Sequence, residues 1–317
     1  MAALSPPETS PQSIKSERYQ DMLFVPIKPD TTARLATVSQ RMLTVSQGSS
    51  DPHSPVFQAV AHHLRTPGLR VRSQIALHAA DCLGVDTQSA LALATCCELL
   101  HNASLIHDDL QDRDQFRRGA QAVWSLFGAD VALCAGDLLL SGAYAALTDV
   151  TDVATLPQLM AQTHLAVAQT ICGQVSAALP PHQNSDGIAI YEAMAAAKSG
   201  PLLTLPFALV FSYCRRPDAA DVAARAVRAF AIAYQIADDL EDIDADARTA
   251  VGAAANILVV LETAKDCDRA TAQIEAARMA RDKLAEALVI SFSLPDETGA
   301  ILSDLAQRIS HKLDGYQ

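Results

Sequence analysis

The sequence predicts an all-α protein with one sizeable hydrophobic core. Half of the 317 residues are hydrophobic, only 13 are glycine, and aromatic residues make up 5% of the chain. Long apolar runs with helical periodicity stop at proline or glycine, as helices do. No linker or internal repeat divides the chain, so we expect one helical domain over residues 21–317. Residues 1–20 are rich in Ser, Pro and Thr and are expected to be a disordered tail.

Proline and glycine breaks separate the predicted helices of the N-terminal half. The first helix spans about Asp30 to Gln47, and the second spans about Val56 to Leu64. A third runs from about Arg70 to Leu83. Thr87 is expected to cap the fourth helix, which reaches Asp112. This fourth helix is apolar on nearly all sides, which predicts that it is buried in the core.

The C-terminal half continues the helical pattern. We predict helices over about Ala129 to Leu147 and Leu156 to Leu179, the latter ended by Pro180-Pro181. A further helical segment begins at Ser185 and should kink or break at Gly200-Pro201. The next helix starts after Pro217 and runs past Gln235. An apolar segment over about Ala250 to Leu261 and two amphipathic helices complete the chain.

Two acidic stretches of the form Asp-Asp-x-x-Asp are the main functional signal. In a helix the first and last aspartates of such a stretch differ by only about 40° in direction, so their carboxylates share one edge. Like charges on one turn repel, which calls for a cation between them. Mg²⁺ is commonly held by one or two carboxylates together with substrate phosphates. We therefore interpret the stretches as a facing pair that clamps Mg²⁺ and a diphosphate, although solvated acidic helix ends remain the competing interpretation. The aspartates are Asp108, Asp109, Asp112, Asp238, Asp239 and Asp242.

Basic residues near these stretches are candidate phosphate ligands. Arg70 and Arg72 lie at a loop-to-helix junction, where guanidinium and backbone N–H groups can meet a phosphate, but a solvated basic turn is an alternative. Arg117 and Arg118 follow the first acidic stretch and could instead form structural salt bridges with its aspartates. His101 lies two turns before Asp108 on nearly the same face. It is either a ligand or a core histidine bonded to a carbonyl. Lys198, beside the predicted helix break, has no evident role in a core.

Charge and composition narrow the classes of partner. A net charge of −12 and a pI near 5.1 argue against nucleic acid and would repel a phosphorylated substrate unless metal ions intervened. The longest strongly apolar stretch, Pro201 to Cys214, is too short for a transmembrane helix. The N-terminus lacks the pattern of a signal peptide. Seven cysteines without CxxC spacing indicate reduced thiols, so we expect a cytoplasmic protein.

The chain resembles the trans-polyprenyl diphosphate synthases, the head-to-tail prenyltransferases that build farnesyl, geranylgeranyl and longer diphosphates. The stretch from Glu98 to Asp112, followed by Arg117-Arg118-Gly119, is similar to the first aspartate-rich region of that family. Further matches follow in the family's order and cover about residues 30–310. They are Gly136-Asp137, Gly173-Gln174, Lys198-Ser199 and Gln235 with the second acidic stretch.

This resemblance implies a fold, an activity and a set of ligands. The expected fold is the isoprenoid-synthase type, a helical bundle around a central cavity, usually a homodimer. The expected reaction joins an allylic prenyl diphosphate to isopentenyl diphosphate, and the six motif aspartates would hold three Mg²⁺ ions that grip the allylic diphosphate. Arg117, Lys198 and Gln235 could neutralise the departing pyrophosphate together with the metals. By position, Arg72, His101 and Arg118 match the ligands of isopentenyl diphosphate.

Several positions depart from the family's pattern. Leu69 stands where the family has a phosphate-binding lysine, and Ala177 replaces a common aspartate. Residues 243–252 lack the family's lysines and Gly-Lys pair, and Arg248 is their only cation. The metal-binding residues are thus better retained than the acceptor site. Besides a prenyltransferase, the sequence allows a diphosphate-ionising lyase or cyclase and a non-catalytic subunit of a prenyl synthase.

The residues before the first acidic stretch predict product length. The growing tail should run beside the helix that carries Asp108, past Ala103 and Ser104 at its fifth and fourth preceding positions. A bulky aromatic at the fifth position blocks the tail at fifteen carbons in the family, so a small residue favours a product of twenty carbons or more. Asn102 and the helix around Leu139 to Tyr144 would form the floor.

Overall fold

The computed structural model describes residues 29–48, 51–66, 68–177, 187–241 and 256–316. Within these ranges the chain forms twelve α-helices and one short hairpin, which confirms the predicted all-α class. The elements of the N-terminal half are α1 (Pro29–Gln47), α2 (Pro55–Arg65), α3 (Val71–Cys82), α4 (Thr87–Asp112), β1 (Phe116–Arg117), β2 (Ala120–Gln121), α5 (Val123–Phe127) and α6 (Ala129–Ala146). Those that follow are α7 (Leu156–Ala177), α8 (Gly187–Tyr213), α9 (Pro217–Glu241), α10 (Ile257–Lys265), α11 (Arg269–Ser291) and α12 (Ala300–Lys312).

Side-chain caps define the starts of several helices. The Asp86 carboxylate accepts a hydrogen bond from the Ser89 backbone N–H at 2.9 Å and caps α4. Our assignment of this cap to Thr87 was wrong, because Thr87 is already the first helical residue. Asn256 and Asp268 cap α10 and α11 in the same way.

Helix α4 lies at the centre of the core, as its apolar composition predicts. It packs against α1, α3, α6 and α8. Leu93, Leu99 and Ile106 on it are fully buried. The helix therefore leads from the middle of the core to the first acidic stretch at its C-terminal end.

Helix α8 is continuous through Pro201 and Pro206, so of the predicted kink or break at Gly200-Pro201 the helix shows no break. Pro201 has no N–H to donate to the carbonyl of Ala197, one turn earlier. The backbone of Gly173 in α7 lies over that carbonyl, where an added Cβ would come within 2.5 Å of the Ala197 oxygen. Packing by the neighbouring helix thus maintains α8 at a proline that would interrupt an isolated helix.

Among the described residues, three helical segments are long and apolar enough to cross a membrane, judged by length and composition: α4, Ala129–Asp149 and α8. The expectation that every apolar stretch is too short was therefore wrong. The apolar windows of α4 and α8 are 83% and 67% buried in the protein, which accounts for their composition. The window of Ala129–Asp149 is only 44% buried, so α6 contributes apolar side chains to the surface.

Some sequence predictions lie outside the described residues. These are the tail over residues 1–20, the break at Pro180-Pro181, the aspartate Asp242, the stretch 243–252 and the first part of the apolar segment that we predicted from Ala250.

Candidate active site

The second aspartate of the first acidic stretch is buried and paired. Asp109 is 1% exposed, and its Oδ1 accepts hydrogen bonds from Arg117 Nε at 2.6 Å and Nη2 at 2.5 Å. The structural salt bridge considered for Arg117 is thus present. Asp109 Oδ2 is buried and has no hydrogen-bond partner among the described residues. Burial raises the pKa of Asp109 to about 6, although the Arg117 guanidinium opposes the shift.

The first and third aspartates of this stretch have different surroundings. Asp108 Oδ1 accepts a hydrogen bond from Gln174 Nε2 of α7. Partial burial raises the pKa of Asp112, and repulsion from Asp108 adds to the shift. Lys198 of α8 opposes it, which brings the predicted lysine into the electrostatic range of this carboxylate. Two anionic groups and one ammonium group therefore line the end of α4.

The second acidic stretch ends α9, where Asp239 organises its surroundings. Asp239 is 5% exposed and accepts hydrogen bonds from Tyr191 Oη at 2.8 Å, Gln235 Nε2 at 2.9 Å and the Ile257 N–H at 2.9 Å. Asp239 therefore anchors the start of α10 to α8 and α9. Gln235, predicted to face the departing pyrophosphate, donates to this carboxylate. Asp238 beside it is half-buried.

Helix α8 lies against both helices that carry the acidic stretches. Both α4 and α9 pack against α8. Tyr191, which bonds Asp239, and Lys198, which acts on Asp112, are seven residues apart on α8. Seven residues are two helical turns, so these side chains share one face and lie about 10 Å apart along the axis. In the described part of the chain, no three His, Cys, Asp or Glu side chains converge on a point that could hold an ion.

A tight hairpin presents Arg117 and Arg118. Arg117 pairs with Ala120 across the two strands, so Arg118 and Gly119 form a two-residue turn. Their φ angles are 51° and 74°, and positive values at both central positions mark a type I′ turn. Glycine meets this requirement readily, but arginine does so at a cost in backbone strain.

Arg117, Arg70 and Arg72 lie within electrostatic range of Arg118, and the four residues are called the arginine cluster below. Burial lowers the pKa of Arg118 to about 10; the carboxylate of Glu98 opposes this shift, whereas Arg117, Arg70 and Arg72 reinforce it. Arg70 and Arg72 are half-buried, which disfavours the alternative of a solvated basic turn. A cluster of arginines is suited to bind a multiply charged anion.

Gly68 makes room for this cluster. A Cβ at Gly68 would lie 2.4 Å from Nη1 of Arg118, so the guanidinium rests directly on the glycine backbone. The neighbouring Leu69, which replaces the family's lysine, is half-buried and packs against the hydrophobic core. The arginine cluster therefore lacks the fifth cation that the family pattern would supply.

His101 joins the arginine cluster rather than the core. Burial holds its pKa well below the usual range, and Arg72, Arg118 and Arg117 lower it further. Its Nδ1 is buried and has no hydrogen-bond partner among the described residues, so the alternative of a carbonyl-bonded core histidine finds no support at this atom. His101 and Asp108 are seven residues apart on α4, about 10 Å along one face. One face of α4 thus carries an arginine and histidine site and a carboxylate site two turns apart.

The two residues of the predicted tail wall, Ala103 and Ser104, have different surroundings. Ala103 is 3% exposed and lies on the α6 side of α4, between Leu99, which approaches Gly142, and His107, which lies on Gly136. Ser104 is half-buried and donates a hydrogen bond to the His101 carbonyl at 2.8 Å.

Asn102, predicted to form part of the floor, is buried and its side chain bonds to two groups. Its Oδ1 lies 3.0 Å from Nε2 of His63, and its Nδ2 donates to the Glu98 carbonyl at 2.7 Å. Both partners draw the amide toward α2 and its own helix.

Sequence reasoning missed several residues that shape the site: Glu98 as a carboxylate facing arginines, Tyr191, His63 and Gly68. A glutamate within the apolar face of α4 was a usable signal, since carboxylates are rarely buried without a partner. The others depend on contacts between distant elements and gave no local signal.

The polyprenyl synthetase family model matches residues 54–254 of this chain. A geranylgeranyl pyrophosphate synthase of Geoglobus acetivorans is 32% identical over 191 residues, which cover 59% of this chain and 60% of that protein. A (2E,6E)-farnesyl diphosphate synthase of Mycobacterium tuberculosis H37Rv is 46% identical over 82 residues, 26% of this chain and 23% of that protein. The aligned segments thus span less than two thirds of these curated relatives.

Solved structures share the fold over nearly their whole length. The geranylgeranyl pyrophosphate synthetase of Geoglobus acetivorans has a TM-score of 0.75 at 22% identity, covering 88% of this chain and 98% of that one. A decaprenyl diphosphate synthase of Rhodobacter capsulatus has a TM-score of 0.71 at 22% identity, covering 96% and 99%. These likenesses establish the helical fold.

Proposed function

Because the chain belongs to the polyprenyl synthetase family, we propose that it is a Mg²⁺-dependent prenyltransferase that joins an allylic prenyl diphosphate to isopentenyl diphosphate. One observation carries the proposal: the face of α4 holds two unlike anion sites about two turns apart. The carboxylates Asp108 and Asp112 require cations to receive a diphosphate, whereas Arg72, Arg118 and His101 can receive one directly. Two diphosphates bound in two ways are what a condensation of two prenyl diphosphates needs.

The residues at the acidic end suit Mg²⁺. Their donors are hard carboxylate oxygens, the buried Oδ2 of Asp109 lacks a hydrogen-bond partner in the described chain, and mutual repulsion disfavours the ionised pair Asp108 and Asp112. Asp108, Asp112, Asp238 and the free Oδ2 of Asp109 are the proposed ligands. Asp239 holds the adjoining segments in place through its own hydrogen bonds. Bound Mg²⁺ would supply positive charge that neutralises the diphosphate of the allylic substrate.

The protein residues then act by binding and by excluding water. The allylic C–O bond breaks with its electron pair on the leaving pyrophosphate, the double bond of isopentenyl diphosphate attacks the allylic cation, and loss of a proton restores a double bond. Arg117 and Lys198 place fixed positive charge near the leaving pyrophosphate. The apolar interior beside α4 keeps water from the cation.

The site also supports a product length and an assembly. Ala103 and Ser104 are small, which favours a product of twenty carbons or more. Large apolar side chains lie exposed on α7 and on α6, and a second copy of the chain is the proposed occupant of these surfaces. The exposed side chains are Leu133, Met160, Leu165, Ile171 and Val175.

A second candidate function follows from Leu69. The apolar residue at the acceptor site would weaken binding of isopentenyl diphosphate and favours a lyase or cyclase that ionises an allylic diphosphate alone. Incubating the protein and Mg²⁺ with labelled geranyl or farnesyl diphosphate, with and without isopentenyl diphosphate, separates the two functions. The prenyltransferase yields a longer prenyl diphosphate only with isopentenyl diphosphate, and Asp108→Ala abolishes it. Labelled hydrocarbon or alcohol formed equally without isopentenyl diphosphate would establish the lyase instead.

A further inference from the structure

The buried carboxylate of Glu98 on α4 is not among the residues that bind substrate in the proposed reaction. Glu98 is 3% exposed and lies three residues before His101. Its Oε2 accepts hydrogen bonds from the backbone N–H of Ser73 at 3.2 Å and from the Ser73 hydroxyl at 2.9 Å. Burying a carboxylate is unfavourable unless hydrogen bonds and positive charges compensate it. The partners of Glu98 therefore indicate what it stabilises.

These hydrogen bonds fix the first turn of α3. Ser73 is the third residue of that helix, and N–H groups in a first turn have no acceptor within their own helix. The preceding Arg70, in the left-handed region with φ 51°, supplies no side-chain cap. Glu98 supplies the missing acceptor from another helix. Its negative charge also interacts favourably with the positive N-terminal end of the dipole of α3.

The turn that Glu98 holds carries part of the arginine cluster. Arg72 directly precedes Ser73, and the Glu98 carboxylate is close enough to Arg118 to raise its pKa against the effect of burial. His101 follows Glu98 by one turn of α4. One carboxylate thus connects three groups that approach the proposed acceptor site from three separate elements.

A second contact holds Glu98 itself. Asn102 Nδ2 donates to the Glu98 carbonyl at 2.7 Å, and Asn102 Oδ1 lies 3.0 Å from His63 Nε2. Burial lowers the pKa of His63 to about 3, so at neutral pH the ring is uncharged and can donate from Nε2. The segment of α4 around Glu98 is therefore tied to α2 as well as to α3.

We infer that Glu98 is a positioning residue, whose carboxylate caps α3 and holds Arg72 opposite Arg118 and His101 so that the site for isopentenyl diphosphate is formed before the substrate binds. This inference rests on the proposed function. Glu98 touches no substrate in this account, and it acts through the groups that do.

The test compares Glu98→Ala with Glu98→Gln. Alanine removes the acceptor for Ser73, whereas glutamine retains an oxygen in the same place. We expect Glu98→Ala to raise the KM for isopentenyl diphosphate and its dissociation constant by about ten-fold or more, the effect of about one charged hydrogen bond. The KM for the allylic diphosphate should stay within about two-fold, and Glu98→Gln should restore most of the affinity. Asp86→Ala removes the cap at the far end of α4 and serves as a stability control. It should lower the Tm but leave the ratio of the KM for isopentenyl diphosphate to the KM for the allylic diphosphate unchanged.

Ser73→Ala is a milder variant if Glu98→Ala fails to fold. It removes one of the two hydrogen bonds and should raise the KM for isopentenyl diphosphate by about three-fold. Equal increases in both KM values, or a lower Tm with unchanged affinity for isopentenyl diphosphate, would overturn the inference while leaving the proposed function intact. A wild-type protein that neither binds nor consumes isopentenyl diphosphate would overturn both.

Discussion

Gly68 offers a sharp test of the arginine cluster, because the structure predicts an effect on binding without one on folding. Its φ lies outside the left-handed region that favours glycine, so the backbone accepts alanine. The new Cβ would lie 2.4 Å from Arg118 Nη1, whereas ordinary contacts begin at 3.4 Å, a difference of 1.0 Å. The guanidinium is the flexible end of a side chain, so it can move by this amount.

A displacement of about 1 Å would break a charge-assisted hydrogen bond to a phosphate oxygen. Such a bond contributes roughly 1.5–3 kcal/mol, which corresponds to an increase of roughly 10- to 100-fold in the KM for isopentenyl diphosphate. Steady-state kinetics at saturating allylic diphosphate measure this effect, and thermal unfolding should show little change in Tm. Gly315→Ala, where the added Cβ meets nothing within 4 Å, is the matched control. An unchanged KM in Gly68→Ala would refute the role of Arg118 in binding the acceptor.

Three further predictions concern the tail, the acceptor site and pH. Ala103→Phe should shorten the product and cost about 1–3 kcal/mol of stability, because the ring must enter a packed α4–α6 contact; chromatography of dephosphorylated products would show an unchanged distribution if this wall does not set the length. Leu69→Lys should lower the KM for isopentenyl diphosphate by the equivalent of roughly 1.5–3 kcal/mol, and no improvement in the kinetics would count against a lost phosphate contact. His63 has a pKa lowered from 6.5 to about 3 by burial, so the unfolded chain binds a proton that the folded chain does not, and stability falls as the pH drops below 6.5. Between pH 7 and pH 5 this loss should be about 2 kcal/mol larger in the wild type than in His63→Gln, measured by urea unfolding, and equal losses would contradict the assignment.

The features predicted best from sequence are those that depend on local patterns. The helical periodicity and the Gly and Pro breaks located most helix ends to within a few residues. Because α4 is apolar on nearly all sides, the sequence predicted its central position. The seven-residue spacing from His101 to Asp108 predicted that these two side chains share one face of α4. Such predictions succeed because the geometry of a helix is the same in every protein.

Features that depend on distant partners were not predictable in this way. The sequence motif does not distinguish Asp108 from Asp109. In the structure, Asp109 accepts hydrogen bonds from Arg117, whereas Asp108 accepts one from Gln174 of α7. Pro201 signalled a break, but Gly173 on another helix packs over the carbonyl that the proline leaves unbonded. Glu98 shows its role only once α3 is placed beside α4. In each case tertiary packing decides between alternatives that the local sequence leaves equal.

The central claim is that one diphosphate binds through metal ions and the other through arginines. Calorimetric titration of a non-hydrolysable allylic diphosphate analogue and of isopentenyl diphosphate, each with Mg²⁺ and with EDTA, tests it directly. We predict that the allylic analogue binds only with Mg²⁺, since Asp108, Asp112 and Asp238 otherwise repel it, whereas isopentenyl diphosphate binds with similar affinity under both conditions. Binding of the allylic analogue in EDTA, or loss of isopentenyl diphosphate binding without Mg²⁺, would contradict this account.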